Sequence, residues 1–287
     1  MREMVRVATV QMQVRSLDVA ANLTKMRAML NSIAADGKVD LVVFPELADI
    51  GYIRGPGEKD FVDFSKAYLE ASQSIPGPFT DALGEMARKH GSHIVCGMSE
   101  THPTIPATIC NSAVLIEPTG KVASVYRKTH IPPPEKHYFC AGNSIDVVST
   151  ELGKIGIIIC VDNSNPEPAR VLSLKGAEII CVPYCKPKGL AVDPTSLCQV
   201  ASCRAFENSN FLITSHQVGG EGNQAYEGLS CICGPYGEFL ARSELKTAED
   251  ILRATLYREE LHTDRMTFAR FRERRPDVYE VLTQPTC

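Results

Sequence analysis

The chain has 287 residues, 44% of them hydrophobic and 22% charged, with a formal net charge of −4. That is enough chain to bury a sizeable core, and the mildly acidic balance excludes the basic stripe of a nucleic-acid binder. No apolar run reaches the ~20 residues of a membrane span, and the start MREMVRVATVQM has no apolar core or small-residue cleavage site of a secretion signal, so the expected location is the cytoplasm, with neither nucleic acid nor membrane as partner.

Short apolar runs alternate with helix-like stretches along the whole chain. Val5–Val10 predicts a strand, residues 19–34 carry apolar positions at helical spacing, and Asp40–Phe44 predicts a buried strand ending at Pro45. A helix is predicted over Pro78–His90 and a strand over His93–Gly97. Strands at Asn111–Glu117 and Lys121–Tyr126 flank Pro118-Thr119-Gly120, which predicts a hairpin. The rhythm then repeats: strand Lys154–Ile159, helix Pro166–Lys175, strand Glu178–Val182. Asp193–Asn208 is a predicted helix with Asp193 as N-cap and Pro194 first. Strand Phe211–Ser215, a second hairpin of Leu229–Cys233 and Glu238–Ala241, strand Ile251–Leu256 and a polar helical tail follow. Alternation of this kind implies an α/β architecture, and the hairpins make its sheets mixed. No linker divides the chain, so one domain over 1–287 is expected. Gly51, Gly55, Pro56 and Gly57 mark Gly51–Phe64 as the expected mobile segment, with Pro187-Lys188-Gly189 as a second flexible loop.

Eleven cysteines are spread from Cys96 to Cys287. A long chain without dense cysteine spacing is no disulfide scaffold, and most of these thiols read as small buried apolar groups. The close pairs Cys181/Cys185, Cys198/Cys203 and Cys231/Cys233 lack zinc-knuckle spacing, so no metal is expected.

Three residues carry chemistry. Cys160 ends an apolar strand and precedes a Pro-initiated helix, a place where a nucleophile is exposed and backbone N–H groups face its target. A buried strand-end thiol is the plain structural alternative. Glu46, in VVFPEL, follows an apolar strand and a proline, which puts a carboxylate at the strand's C-terminal edge, where open α/β sheets bind ligands. Partial desolvation there suits base work, although an N-cap or turn residue would look the same. Lys128, in VYRKTHIP, follows the first hairpin and by itself reads as a solvated lysine.

Taken together, DLVVFPEL around Glu46, YRKTHIPPPEKHYFCAG around Lys128 and GIIICVDNSNPEPAR around Cys160 resemble, in order, the three motifs of the nitrilase-related carbon–nitrogen hydrolases. LKGAEIICVP, SCRAFENSNFLI, GLSCICGPYGEFLA and RRPDVY extend the resemblance to essentially the whole chain. It implies a four-layer α-β-β-α sandwich with two mixed sheets, and a Glu–Lys–Cys triad. It also implies Glu135 as a fourth active-site carboxylate, which would otherwise read as an exposed partner of Lys136. A homodimer or larger homo-oligomer is implied, with helices 166–175 and 193–208 and the tail from about residue 257 at the interface. The implied chemistry needs no cofactor. Glu46 activates Cys160, and Lys128 with the Val161 backbone N–H meets the oxyanion.

The sequence departs from its relatives around the nucleophile. Val161 and Asn165 stand where most relatives have an aromatic residue, and Asn163 and Ser164 stand near where carbamoyl-amino-acid hydrolases place arginines. Tyr52, Tyr138, Asn163 and Tyr184 are the candidate substrate-pocket residues; packing explains the tyrosines equally well. EKHYF after the lysine motif points to a small amide or N-carbamoyl amine as substrate, with nitrile hydrolysis as the alternative. A papain-like Cys–His enzyme would need His130 or His216, and a non-catalytic scaffold would have no need for all three triad residues.

Overall fold

The computed structural model describes residues 1–52, 61–220 and 225–284. Among the described residues thirteen strands form two sheets. The first runs β13 (Asp250–Tyr257), β1 (Met4–Gln11), β2 (Leu41–Val43), β3 (His93–Thr101), β4 (Ile109–Ile116) and β5 (Val122–Arg127), with β6 (Phe139–Cys140) also paired to β4. The second runs β12 (Phe239–Arg242), β11 (Cys231–Cys233), β10 (Phe211–Gln217), β9 (Ile179–Cys185), β8 (Gly153–Ile157) and β7 (Val147–Thr150). Both are mixed: β1, β2 and β3 are parallel neighbours, as are β8, β9 and β10, while hairpin partners run antiparallel.

The layers follow from the two-residue period of strand side chains. Val5 and Val7 on β1 and Leu41 and Val43 on β2 face inward, where they pack with Ile155, Ile157, Ile179 and Ile213 of the second sheet. Ala8, Val10, Val42 and Phe44 point the other way, onto α1 (Val19–Ala35) and α3 (Pro78–His90) through Met26, Leu30, Ile33, Phe79 and Leu83. The second sheet is covered by α4 (Pro166–Leu174) and α5 (Pro194–Asn208), through Ala169, Leu172, Leu197, Ala201 and Ala205. The result is the expected α-β-β-α sandwich. Its sheets are stitched at the centre: Thr9 Oγ1 donates to Thr214 O (2.7 Å) and Ser215 Oγ to Val10 O (2.6 Å).

Caps act where the sequence places them. Asp193 accepts from Thr195 N at 2.7 Å and Pro194 opens α5. Differences are local. Residues 53–60 of the segment expected to be mobile lie outside the described residues, and from Phe61 the chain is already helical, forming α2 (Phe61–Ala71). The glycines and proline upstream masked that helix. Strand β7, VVST, is a short edge strand with mixed exposure and too little alternation to be read. In the second loop expected to be flexible, Pro187 is bridged to Tyr226 and Lys188 N donates to Ala225 O at 2.8 Å. The tail forms α6 (Arg258–Thr267) and short 3₁₀ turns. Among the described residues every cysteine is a free thiol and no helix is long and apolar enough to cross a membrane.

Candidate active site

The site lies where the two sheets meet at their strand ends. Glu46 follows β2. Its turn is pinned by Gly97 on β3, whose N–H donates to Pro45 O (3.1 Å) and whose carbonyl accepts from Ala48 N (2.9 Å). Leu47 takes a left-handed φ of 48° to make the turn. Gly97 is a spacing requirement: a Cβ there would lie 2.5 Å from Glu46 Cα and 2.7 Å from Pro45 O, both backbone atoms that cannot swing away. Gly97→Ala is therefore expected to destabilise the fold by roughly 1–3 kcal/mol and to lower activity by displacing Glu46. Thermal unfolding and turnover on the same preparation check this; full activity in the variant would refute it.

Lys128 follows β5, its N–H bonded to Asn111 O on β4 at 2.8 Å. Glu135 lies in a proline-initiated 3₁₀ turn, Pro133–His137. The stiff prolines bring it back over Lys128. Lys128 Nζ lies 2.7 Å from Glu46 Oε1 and 2.9 Å from each Glu135 oxygen. The Lys128, Glu46 and Glu135 side chains are 0%, 1% and 4% exposed, so Glu135 is no surface partner of Lys136. Burial opposes the ammonium, but Glu46 and Glu135 outweigh it and hold Lys128 charged well above the usual lysine range. Burial pushes Glu135 up to about 7, against the pull of Lys128.

Cys160 enters from the second sheet, past the end of β8, and opens a 3₁₀ turn, Cys160–Ser164. It is partly exposed and has φ 49°, a left-handed conformation that costs a non-glycine residue of order 1–3 kcal/mol. The strain is held by Asp162. One of its oxygens accepts from Ile159 N (3.0 Å) and the Tyr126 hydroxyl (2.8 Å). The other accepts from Thr129 Oγ1 (2.9 Å) and His130 N (2.9 Å) and lies 2.7 Å from His130 Nδ1. A single buried carboxylate thus ties the Cys160 turn to the segment just after Lys128. The Cys160 thiol, whose Sγ lies 3.7 Å from Cys185 O, is pushed well up by burial and then by the Glu46 carboxylate, against the pull of Lys128. It therefore rests protonated and needs a base.

The pocket candidates separate into two groups. Tyr52 and Tyr138 pack in one cluster with Phe139, Cys185 and Tyr226, beside Glu135. Burial, and then Glu135, push the Tyr138 hydroxyl up to about 12. Tyr184 and Asn163 instead pair with each other: Asn163 Nδ2 donates to the Tyr184 hydroxyl at 3.0 Å, and the Tyr184 ring stacks on His216 at 4.6 Å. Both are buried. A cleft of about 510 Å³ opens beside the site, lined among others by Val161, Thr129 and Lys136, the chain neighbours of Cys160, Lys128 and Glu135.

Neither histidine candidate reaches the thiol by hydrogen bond among the described residues. His130 Nδ1 is engaged by Asp162, and burial lowers His216 to about 3, which leaves it neutral. No group of three or more His, Cys, Asp or Glu side chains is arranged to hold a metal among the described residues. Three residues escaped the sequence reading: Gly97, Asn111 and Asp162. Only Asp162, two positions past the cysteine, lies within a motif.

Residues 6–266 match the family model for carbon–nitrogen hydrolases. The chain belongs to that family. Among curated relatives, a nitrilase of Pyrococcus abyssi is 33% identical over 256 residues, covering 86% of this chain and 88% of its own. An N-carbamoylputrescine amidase of Arabidopsis thaliana is 29% identical over 282 residues, covering 92% and 91%. Among solved structures, a carbon–nitrogen hydrolase from Helicobacter pylori G27 superposes with a TM-score of 0.86 at 26% identity, covering 99% of this chain and all of its own. The family's members include amidases and nitrilase-like enzymes, which is consistent with a buried Lys–Glu pair beside a cysteine.

Proposed function

We propose that the protein hydrolyses a small amide or N-carbamoyl amine through an acyl-enzyme on Cys160, with Glu46 as base, Lys128 as oxyanion partner and Glu135 holding Lys128. One observation carries this reading. Glu46 Oε1 is occupied by Lys128, while Glu46 Oε2 is buried without a hydrogen-bond partner. A buried carboxylate oxygen left open is costly, and that cost is explained if a thiol proton is its partner during the reaction.

The steps follow from what each group can do. Glu46 takes the proton of Cys160, and the thiolate attacks the carbonyl carbon. An ammonium has three N–H donors; Lys128 gives one to Glu46, and with the two Glu135 oxygens, each 2.9 Å away, sharing a second, the third goes to the oxyanion beside the Val161 N–H. Glu46 then returns the proton to the leaving nitrogen as the C–N bond breaks, leaving a thioester. A water deprotonated by Glu46 attacks the thioester, and collapse releases the acid and restores the thiol. A carbamoyl substrate releases ammonia first, and its carbamate product decomposes to CO₂ and amine. Tyr52 and Tyr138, beside Glu135, supply the pocket wall.

The 33% identity to an archaeal nitrilase supports a second reading, conversion of a nitrile to its acid and ammonia by the same residues. Product analysis separates the two. Ammonia release and trapped labelled CO₂ are measured across carbamoyl amines, carbamoyl amino acids, simple amides and nitriles. CO₂ with ammonia marks ureido chemistry, ammonia alone from an amide marks an amidase, and turnover confined to nitriles would overturn the first reading. The same reading makes the protein a homodimer or larger through α4, α5 and the tail. Phe206, Met266, Val281 and Leu282 support this, being large apolar side chains left 46%, 69%, 71% and 64% exposed.

A further inference from the structure

Asn111 lies on β4, fully buried, opposite Ser99 of β3 and beside Lys128. It touches three of the four proposed site residues. Its backbone carbonyl accepts from Lys128 N at 2.8 Å. Its side-chain Nδ2 donates to Glu46 Oε1 at 2.7 Å and, more weakly, to Glu135 Oε2 at 3.5 Å. The amide can face only this way, because the flipped form would put a carbonyl oxygen against two carboxylates. Asn111 Oδ1 is buried without a hydrogen-bond partner. A side chain whose acceptor end is wasted and whose donor end serves two carboxylates is retained for those donors.

We propose that Asn111 is a positioning residue that fixes the orientation of Glu46, reserving one carboxylate oxygen for Cys160. This rests on the reading of Glu46 as the base for Cys160. Lys128 and Asn111 converge on Glu46 Oε1 from two directions. A carboxylate held at one oxygen by a single flexible lysine can rotate about its terminal bond; a second donor from a rigid strand removes that freedom. With Oε1 doubly held, Oε2 is the oxygen left to take the thiol proton. Among the described residues the hydrogen bonds of the Asn111 side chain go to Glu46 and Glu135 and not to the Cys160 sulfur, so its effect passes through Glu46.

The test reads the base–thiol pair without any substrate. Cys160 in the full chain is alkylated with iodoacetamide between pH 6 and 9, and its rate is followed by peptide mass spectrometry, which separates it from the other cysteines. Asn111→Ala is expected to slow Cys160 alkylation at pH 7 by about tenfold or more, the scale of a misplaced general base. Asn111→Asp is isosteric. It places a third carboxyl against Glu46, Glu135 and Lys128, and at acid pH its protonated form can donate to Glu46 as the amide does. Its alkylation rate is therefore expected to come closest to wild type at pH 6 and to fall away at pH 8. Once a substrate is known, Asn111→Ala should lower kcat far more than it raises KM.

Alkylation of Asn111→Ala within about twofold of wild type at every pH would overturn the proposal, since base assistance is worth more than that. So would equal losses in both variants with an unchanged pH profile, which would mark a packing role. If Asn111→Ala does not fold, the pH profile of Asn111→Asp decides alone. Lack of turnover on every substrate would sink the hydrolase reading and leave this measurement standing.

Discussion

Cys160→Ala is expected to abolish turnover, by about 10⁴-fold or more, while the fold and its melting temperature stay close to wild type. Among the described residues the sulfur makes one long polar contact, 3.7 Å to Cys185 O, and Cys160 is partly exposed, so truncation removes little packing. All of the covalent chemistry goes with it. Glu46→Gln is the companion variant. The glutamine carbonyl can keep the bonds from Lys128 and Asn111 at Oε1, but its amide then occupies the place of the open Oε2 and donates where a base must accept. A loss of about 10²–10⁴-fold follows, the range for a positioned acid–base group. Steady-state rates on any substrate found by product analysis, with circular dichroism melts alongside, check both. His130→Ala is the control. If it were dead while Glu46→Gln kept most of its rate, the base assignment would be wrong and the thiol–histidine alternative would return.

Lys128→Met is expected to damage both stability and chemistry. It leaves Glu46 and Glu135 buried without their shared cation. Removing one partner of a buried ion pair typically costs ~3–5 kcal/mol, and loss of an oxyanion donor adds ~3–4 kcal/mol to the barrier. The stability loss has a predicted pH dependence. Glu135 is already raised to about 7 by burial, with Lys128 pulling it down, so removing Lys128 raises it further. An acid whose folded-state pKa lies above its unfolded value stabilises the fold below the unfolded value, and that contribution fades as pH rises through the folded one. The deficit of Lys128→Met relative to wild type should therefore be smaller at pH 5.5 than at pH 8.5. Chemical denaturation at both pH values measures it. An equal deficit at the two would mean that the carboxylates carry no unpaired charge.

The family and layer plan were legible because they rest on local rules. Two-residue alternation in Val5–Val10 and 3.6-residue spacing in 19–34 each report which face is buried, and both belong to contiguous chain. Glu46 and Cys160 could be singled out because each follows a strand, where side chains leave the sheet, and the ordered motifs brought Lys128 in with them. Glu135 came through motif order rather than spacing, and Lys128 by itself read as solvated. Its full burial became visible only with two carboxylates around it.

Gly97, Asn111 and Asp162 were silent for a common reason. Each acts on a residue far along the chain: Gly97 on the turn at Glu46, Asn111 on Glu46 and Glu135, Asp162 on Tyr126, Thr129 and His130. In the sequence they are a strand glycine, a strand polar residue and a turn acid, types that fit those places with no further role. Tyr184 and Asn163, candidates for the pocket wall, are also joined to each other by a hydrogen bond that the sequence does not show. By itself the sequence determined most of the strand and helix order, though not α2, β6 or β7, and the family motifs, since each depends on neighbours within a few residues. Which oxygen of Glu46 stays open, how Lys128 is held charged and why Cys160 keeps a strained backbone were decided only by the tertiary structure, because those properties depend on burial and on partners brought together by the pairing of the two sheets.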